Sequence, residues 1–304
     1  MSQPKAQGTE LPVVSVVVPT YNRSIYIRET LDSVLRQTFS NFEVIVVDDG
    51  STDETETVLR PYLDQIRYIR QENGGAAAAR NSGVRNARGA FIAFMDSDDL
   101  STPHHLESLY NFLTQNRDYA MVIGNGAYLE GEFHNRRTVI SLRVARRLEK
   151  KGVTVGDVFD GRVVRLQGTM MRKSALEEIG LLDEWFRLSY DLDLALRLIK
   201  NQRIGFINEV VYLYRKHAGN ISADDELRSR ESLRALDKLT ADYPEAPELI
   251  GRRAFFNLYA HRYYRLAKAL AAKGHIKGAS EAIRKAASLC PFSLKYRLYQ
   301  LRWI

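Results

Sequence analysis

The chain has 304 residues, a net charge of +7, and a composition of 45% hydrophobic and 27% charged residues, enough for one large α/β domain with a small appendage. One cysteine, Cys290, excludes an intramolecular disulfide or a multi-thiolate zinc site within one chain. The polar start, Met1 to Glu10, carries no apolar signal core, and no stretch nears the roughly 20 apolar residues of a membrane span; a cytoplasmic protein, soluble or peripheral, is expected.

Residues 1–12 read as a flexible N-terminus. Short β-branched runs follow at Val13–Pro19, Phe42–Asp48, Ile66–Arg70 and Ala90–Met95, each ending in polar or turn residues. Between and after them the spacing predicts helices over Ser24–Gln37, Asp53–Tyr62, Ala76–Ala87 and Pro103–Asn116. Such alternation implies βαβ units and a mainly parallel, Rossmann-like sheet, whose ligands bind beyond the carboxyl ends of the strands. Tyr119–Glu130 predicts another strand, and the polar, basic stretch Gly131–Gly161, of weak periodicity, is expected to contain a mobile loop. Helices are expected at Lys173–Ile179 and Asp191–Lys200, with a strand at Ile204–Tyr214.

From Asp225 the pattern is helical: Asp225–Ala241, Glu248–Lys273, Ile276–Leu289 and Ser293–Trp303. This divides the chain into an α/β domain, 13–224, and a basic helical region, 225–304. The latter holds 16 Lys and Arg against 8 Asp and Glu, a net of +8. Three readings of that charge stand: nucleic acid, an anionic membrane surface, or a solvated helical face. Leu266–Pro291 is spaced like one tetratricopeptide-type hairpin around Gly274, which must pack on the rest of the chain or on a partner.

The polar residues that follow the strands carry the chemistry. After the first strand come Thr20, Tyr21, Asn22 and Arg23; Tyr21 offers a ring for stacking on a base. After the second come Asp48 and Asp49, and Asp49 is placed to accept hydrogen bonds from a base N–H or a ribose hydroxyl. Asp48 has the same exit position, a turn residue being its other reading, and Asp53 reads as a helix cap. Asn73-Gly74-Gly75 opens a helix whose amides suit an anion, with Arg80 one turn in. The next strand ends in Asp96-Ser97-Asp98-Asp99. Three carboxylates so close repel each other, and a divalent cation resolves the conflict; Mn2+ or Mg2+ favours oxygen ligands and leaves room for phosphate oxygens.

The ordered series VSVVVPTYNR, LDSVLRQTF, FEVIVVDDGSTDET, NGGAAAARNSGVRNARGAFIAFMDSDD, YDLDLALRL and YRKHAGNIS resembles the family-2 inverting glycosyltransferases of GT-A fold that build bacterial surface polysaccharides, over about Val13–Ser222. The resemblance implies that Thr20, Tyr21 and Asp49 hold a nucleoside, that Arg80 supports the nucleotide, and that Asp96 and Asp98 form the DxD pair. Asp98 is then the metal ligand, and Asp96 faces the ribose or the ion's water. Asp191 aligns with the general base, although Tyr190 stands where relatives place a glutamate. His217 matches a histidine near metal and diphosphate. Trp185, Phe186 and Tyr190 are candidates for an acceptor pocket, core packing being the other reading of Trp185 and Phe186. Asp193 reads as a surface helix residue paired with Arg197.

The expected function is therefore hexosyl transfer from a nucleoside diphosphate sugar to a glycan or lipid-linked hydroxyl. UDP is the expected carrier, with GDP and dTDP open, and no nucleic acid is expected as partner. The rival readings are a nucleotidyltransferase or NAD enzyme, against which the missing G-x-G-x-x-G and Walker lysine speak, and a non-catalytic sugar- or partner-binding protein that kept the fold.

Overall fold

A computed structural model describes residues 11–129, 137–217 and 224–301. In chain order these form β1 (Val14–Thr20), α1 (Ile27–Leu35), β2 (Phe42–Asp48), α2 (Thr55–Leu59), β3 (Arg67–Arg70), α3 (Ala76–Asn86), β4 (Phe91–Phe94) and β5 (Leu100–Ser101). Next come α4 (His105–Gln115), β6 (Tyr119–Tyr128), α5 (Leu142–Lys151), α6 (Val155–Asp160), β7 (Thr169–Arg172), α7 (Lys173–Glu178), α8 (Tyr190–Ile199) and β8 (Arg203–Tyr214). Helices α9 (Asp225–Asp242), α10 (Ala246–Ile250), α11 (Arg252–Ala272), α12 (Ile276–Leu289) and α13 (Leu294–Leu301) follow.

All eight strands join one sheet in the order β3-β2-β1-β4-β7-β6-β8-β5. β1 runs parallel to β2 and β4, β2 to β3, and β6 to β8. β7 lies antiparallel between β4 and β6, and β5 is antiparallel to β8. The register sets Thr20 beside Asp48 and Asp48 beside Arg70, so three strands discharge their polar ends at one edge.

Every residue of β1 is buried, as expected of a central parallel strand covered on both faces. Val14, Val16 and Val18 face α1 and α4 through Ile27, Leu31, Leu106 and Leu109. Val17 faces the other layer with Ala79, Val84 and Leu194. That second core continues without a break into α9, α11 and α12 through Leu233, Leu236, Phe255, Leu266 and Ile283. α11 and α12 pack against each other along the turn at Gly274, whose φ of 78° suits a residue without Cβ.

The structure departs from the sequence reading at several places. In the stretch expected to contain a mobile loop, residues 131–136 lie outside the described residues, and two helices that the sequence reading did not place, α5 and α6, occupy much of the rest. α5 buries Ala145 and Leu148 on one face and sets its lysines and arginines elsewhere, an amphipathic helix hidden by the strong basic charge of the stretch. α6 is announced by a capping box instead: Thr154 and Asp157 bond each other's backbone amides, and Arg147 pairs with Asp157. The helix expected over 248–273 is broken at Gly251, whose φ is 88°. Residues 1–10 and 302–304, including Trp303, lie outside the described residues.

α3 approaches β1 so closely that a Cβ on Gly83 would sit 2.3 Å from Val17 Cγ1. Helix propensity alone predicts that Gly83→Ala stabilises by about 1 kcal/mol. A β-branched side chain on a central strand cannot yield, so overpacking should win and lower stability by about 1–3 kcal/mol, read as a lower urea midpoint. An unchanged or raised midpoint would refute the close contact.

Candidate active site

At the carboxyl edge the loops after β1 and β2 are laced together. Asn22 takes a left-handed φ of 52°, tolerable for asparagine, and its Oδ1 accepts from Thr52 N at 2.8 Å while its own N donates to Ser51 Oγ at 3.0 Å. Asp48 is fully buried and accepts from Ser51 N and the Tyr68 hydroxyl, so its carboxylate is taken up inside the turn. Asp53 accepts from both N and Oγ1 of Thr55 at the start of α2 and from Ser24. Asp49 is also buried; its carboxylate accepts from Gln71 Nε2 and from the amides of Gly74 and Gly75 at 2.8–2.9 Å. It thereby shapes the loop that opens α3. Thr20 Oγ1 is buried without a hydrogen-bond partner among the described residues, while the Tyr21 ring is exposed beside it in sequence.

The carboxylates after β4 form the one cluster of metal-ligating type found among the described residues: oxygens of Asp96, Asp98 and Asp99 lie within 4.8 Å of one another. Each is held differently. Asp96 is ion-paired to Arg80 of α3. Asp98 Oδ2 lies 3.1 Å from Arg23 Nε and 3.0 Å from His217 Nε2, whose ring stacks on Tyr26. Asp99 is wholly buried and accepts from Arg215 N at 2.8 Å and Gln167 Nε2 at 3.0 Å. Burial, then the neighbouring Asp96, pushes the Asp99 carboxyl well above its ordinary value; burial outweighs Arg80 to raise Asp96 as well. A hard divalent cation reverses that strain, so these residues fit Mn2+ or Mg2+ by donor type.

Asp191 enters from the far side of the chain on the first turn of α8. It is half-buried, and its Oδ1 accepts from Leu192 N at 2.7 Å. Burial raises its carboxyl above the ordinary 3.8, against the pull of Arg165, which exerts the largest favourable charge on it. Arg80 links the two groups of acids. Its guanidinium holds Asp96, sits 4.7 Å from the centre of the Tyr190 ring, and leaves Nε buried without a partner among the described residues. A chain of contacts therefore runs from Asp96 through Arg80 to the Tyr190 ring, with Asp191 close enough to act on the Arg80 charge.

Other expected residues behave differently. Asp193 is buried at 2% exposure rather than on the surface; its partner Arg197 is as expected, joined by Lys238 at 3.0 Å. A buried carboxylate needs both cations, which a helical spacing reveals only in part. Phe186 is core, whereas Trp185 is half exposed with Arg234 3.6 Å from its ring centre. Three participants escaped the sequence reading. Gln167 and Arg165 sit on the irregular segment before β7. Glu231 reaches from α9 to the backbone ahead of Asp191. No local motif marks any of the three.

The chain matches the description Glycosyl transferase family 2 over residues 15–180. A Rickettsia prowazekii protein named as an uncharacterized glycosyltransferase is 34% identical over 244 residues, 78% of this chain and 75% of that one. Staphylococcus aureus TarS 1-349, solved in complex with UDP-GlcNAc, is similar with a TM-score of 0.62 at 20% identity, covering 95% of this chain and 91% of that one. A longer TarS chain is covered over 55% of its length. The mannosyltransferase PcManGT from Pyrobaculum calidifontis, solved with GDP-Man and Mn2+, gives 0.63 at 20% identity, covering 96% of this chain and 84% of that one. These two structures establish the GT-A fold, and the family match over more than half the chain makes this protein an enzyme that belongs to glycosyltransferase family 2.

Proposed function

We propose that the protein transfers a sugar, with inversion, from a nucleoside diphosphate to a hydroxyl of a glycan or lipid-linked acceptor. The observation that carries this is the junction at Arg80, where the acids after β4 meet the α8 turn bearing Asp191. The donor's nucleoside lies against Thr20, Tyr21 and Asp49, where an orphaned buried hydroxyl and an open ring are available. Arg80 and Asp96 hold the ribose side. Asp98 and His217 would hold Mn2+ or Mg2+, which when bound neutralises the departing diphosphate. UDP is supported by the TarS complexes with UDP-GlcNAc and UDP, and the GDP-Man complex of PcManGT keeps GDP open.

Asp191 takes the proton of the acceptor hydroxyl as its oxygen attacks the anomeric carbon. The bond to the diphosphate oxygen breaks on the opposite face, which inverts the centre. A base that acts late in proton transfer depends on placement more than on basicity. The Arg165 guanidinium, with no hydrogen bond or ion pair among the described residues, stands beside Asp191 as a cation for an anionic group of the incoming molecule. Trp185 and Tyr190 complete the acceptor side. The catalytic domain is assigned to 13–224 and the basic helical region to 225–304.

That basic region supports contact with an anionic membrane. No helix among the described residues is long and apolar enough to cross a membrane. On α13, however, Leu294, Leu298 and Leu301 form one exposed stripe, with Lys295 and Arg297 on its two sides and Tyr296 turned inward.

Three outcomes test the reading. Asp191→Asn should lower donor turnover by about 10²–10⁴-fold while nucleotide binding is kept; binding without turnover in the wild type, across a broad acceptor panel, would favour a binding protein instead. Because the base works ionised and its pKa is raised by burial, kcat/KM should fall as pH drops through a midpoint above 3.8. A profile whose acid limb lies at or below that value would contradict the buried base. The full chain should co-sediment with anionic vesicles and not with neutral ones, and Leu294→Glu with Leu298→Glu should abolish this; equal binding by the double variant would remove α13 from the account.

A further inference from the structure

The segment between α7 and α8, residues 180–189, has little regular structure, so its buried amides need partners from elsewhere. One side is held by α3: Asn81 accepts from Leu182 N at 3.0 Å and donates to Leu182 O at 2.9 Å. The other side is held by α9. Glu231, 2% exposed, accepts from Arg187 N at 2.9 Å, Leu188 N at 2.7 Å and Ser189 N at 2.9 Å. Ser189 is the residue at which α8 begins, and its own side chain makes no cap. Lys238, on the same face of α9 seven residues on, bonds Asp183 at 2.8 Å and Asp193 at 3.0 Å. Arg234 between them stacks on Trp185. At i, i+3 and i+7 these side chains make one stripe along the helix, running beside residues 183–193.

The geometry points to Glu231 as a positioning residue for Asp191, supplied by a helix outside the family match. Rotation of the first turn of α8 sets where the Asp191 carboxylate stands. That turn starts where the three amides are fixed. A carboxylate is well suited here, because it accepts charge-assisted bonds from all three amides and its negative charge favours the amino end of α8. Glutamine offers one oxygen and sets its NH2 group against the amides. Aspartate, one methylene shorter, cannot span all three. The inference rests on Asp191 acting as the base.

The test is steady-state kinetics on the full chain with hydrogen exchange. Glu231→Gln should lower kcat by about 10²-fold with little change in donor KM, because a misplaced base leaves donor binding intact. Glu231→Asp should recover part of the loss, and amides 187–192 should lose protection in proportion. Leu239→Ala, in the same helix but only in the core, should lower the melting temperature and leave kcat per folded molecule within about two-fold of wild type. Wild-type kcat in Glu231→Gln, at a temperature where it is folded, overturns the positioning role and leaves the transferase reading standing. Loss of kcat in Leu239→Ala as large as in Glu231→Gln also overturns it, since general loosening then explains both. A wild type that turns over no donor defeats the transferase reading itself.

Discussion

Three carboxylates crowded within 4.8 Å at the end of β4 are the constraint on which the arrangement depends. Like charges at that spacing cannot all ionise in a partly buried place without compensation. The fold brings that compensation from every direction: Arg23 from the loop after β1, Arg80 from α3, Gln167 from the turn before β7, and Arg215 N with His217 from the end of β8. The three acids are not equivalent as a result. Asp99 is spent on the protein's own backbone and side chains. Asp96 is clamped by one arginine. Asp98 faces groups that can yield to a stronger cation.

The sheet explains why these groups meet. β2 and β3 extend from one side of β1 and β4 from the other, so the order in which strands are added reverses between the parallel strands β1 and β4, where loops part into a crevice. Asp49 stands on one lip and the acidic cluster on the other. The carboxylate of Asp49 is directed at its own loop, through Gly74 and Gly75, which makes it the organiser of the α3 entrance as well as a donor-facing candidate. A single residue can hold both roles only while one lone pair stays available, and a carboxylate has four such sites.

The central strands and most helices were legible because they obey local rules: β-branched runs for β1 and β2, apolar spacing for α4 and α8, a shared turn at Gly274. What escaped has physical reasons. β7 is four residues long and antiparallel, with two methionines and no alternation. α5 is amphipathic, but its narrow apolar face lies in a stretch whose basic charge dominates the reading. The burial of Asp193 depends on Lys238, 45 residues away, which no spacing announces. The acidic cluster was legible as a group of carboxylates and Asp191 as a candidate base, but the contact of Arg80 with the Tyr190 ring was not, since it crosses from α3 to α8.

The same limit applies most strongly to α9. A helix rich in arginine and acidic residues normally reads as a solvated face, and its weak apolar pattern supports that reading. Yet Glu231 is buried, and a buried carboxylate persists only where its hydrogen bonds exceed the cost of leaving water. Three backbone amides meet that condition, and they belong to the segment that carries Asp191. The core makes the same point by area rather than charge: Leu233 and Leu236 pack into the cluster that holds Val17 and Phe94 under the sheet. A helix tied by packing to the sheet and by charge to the α8 turn transmits any displacement of one to the other. On that argument α9 backs the segment that leads into α8, and a change along its Glu231–Lys238 stripe is felt at the turn that carries Asp191.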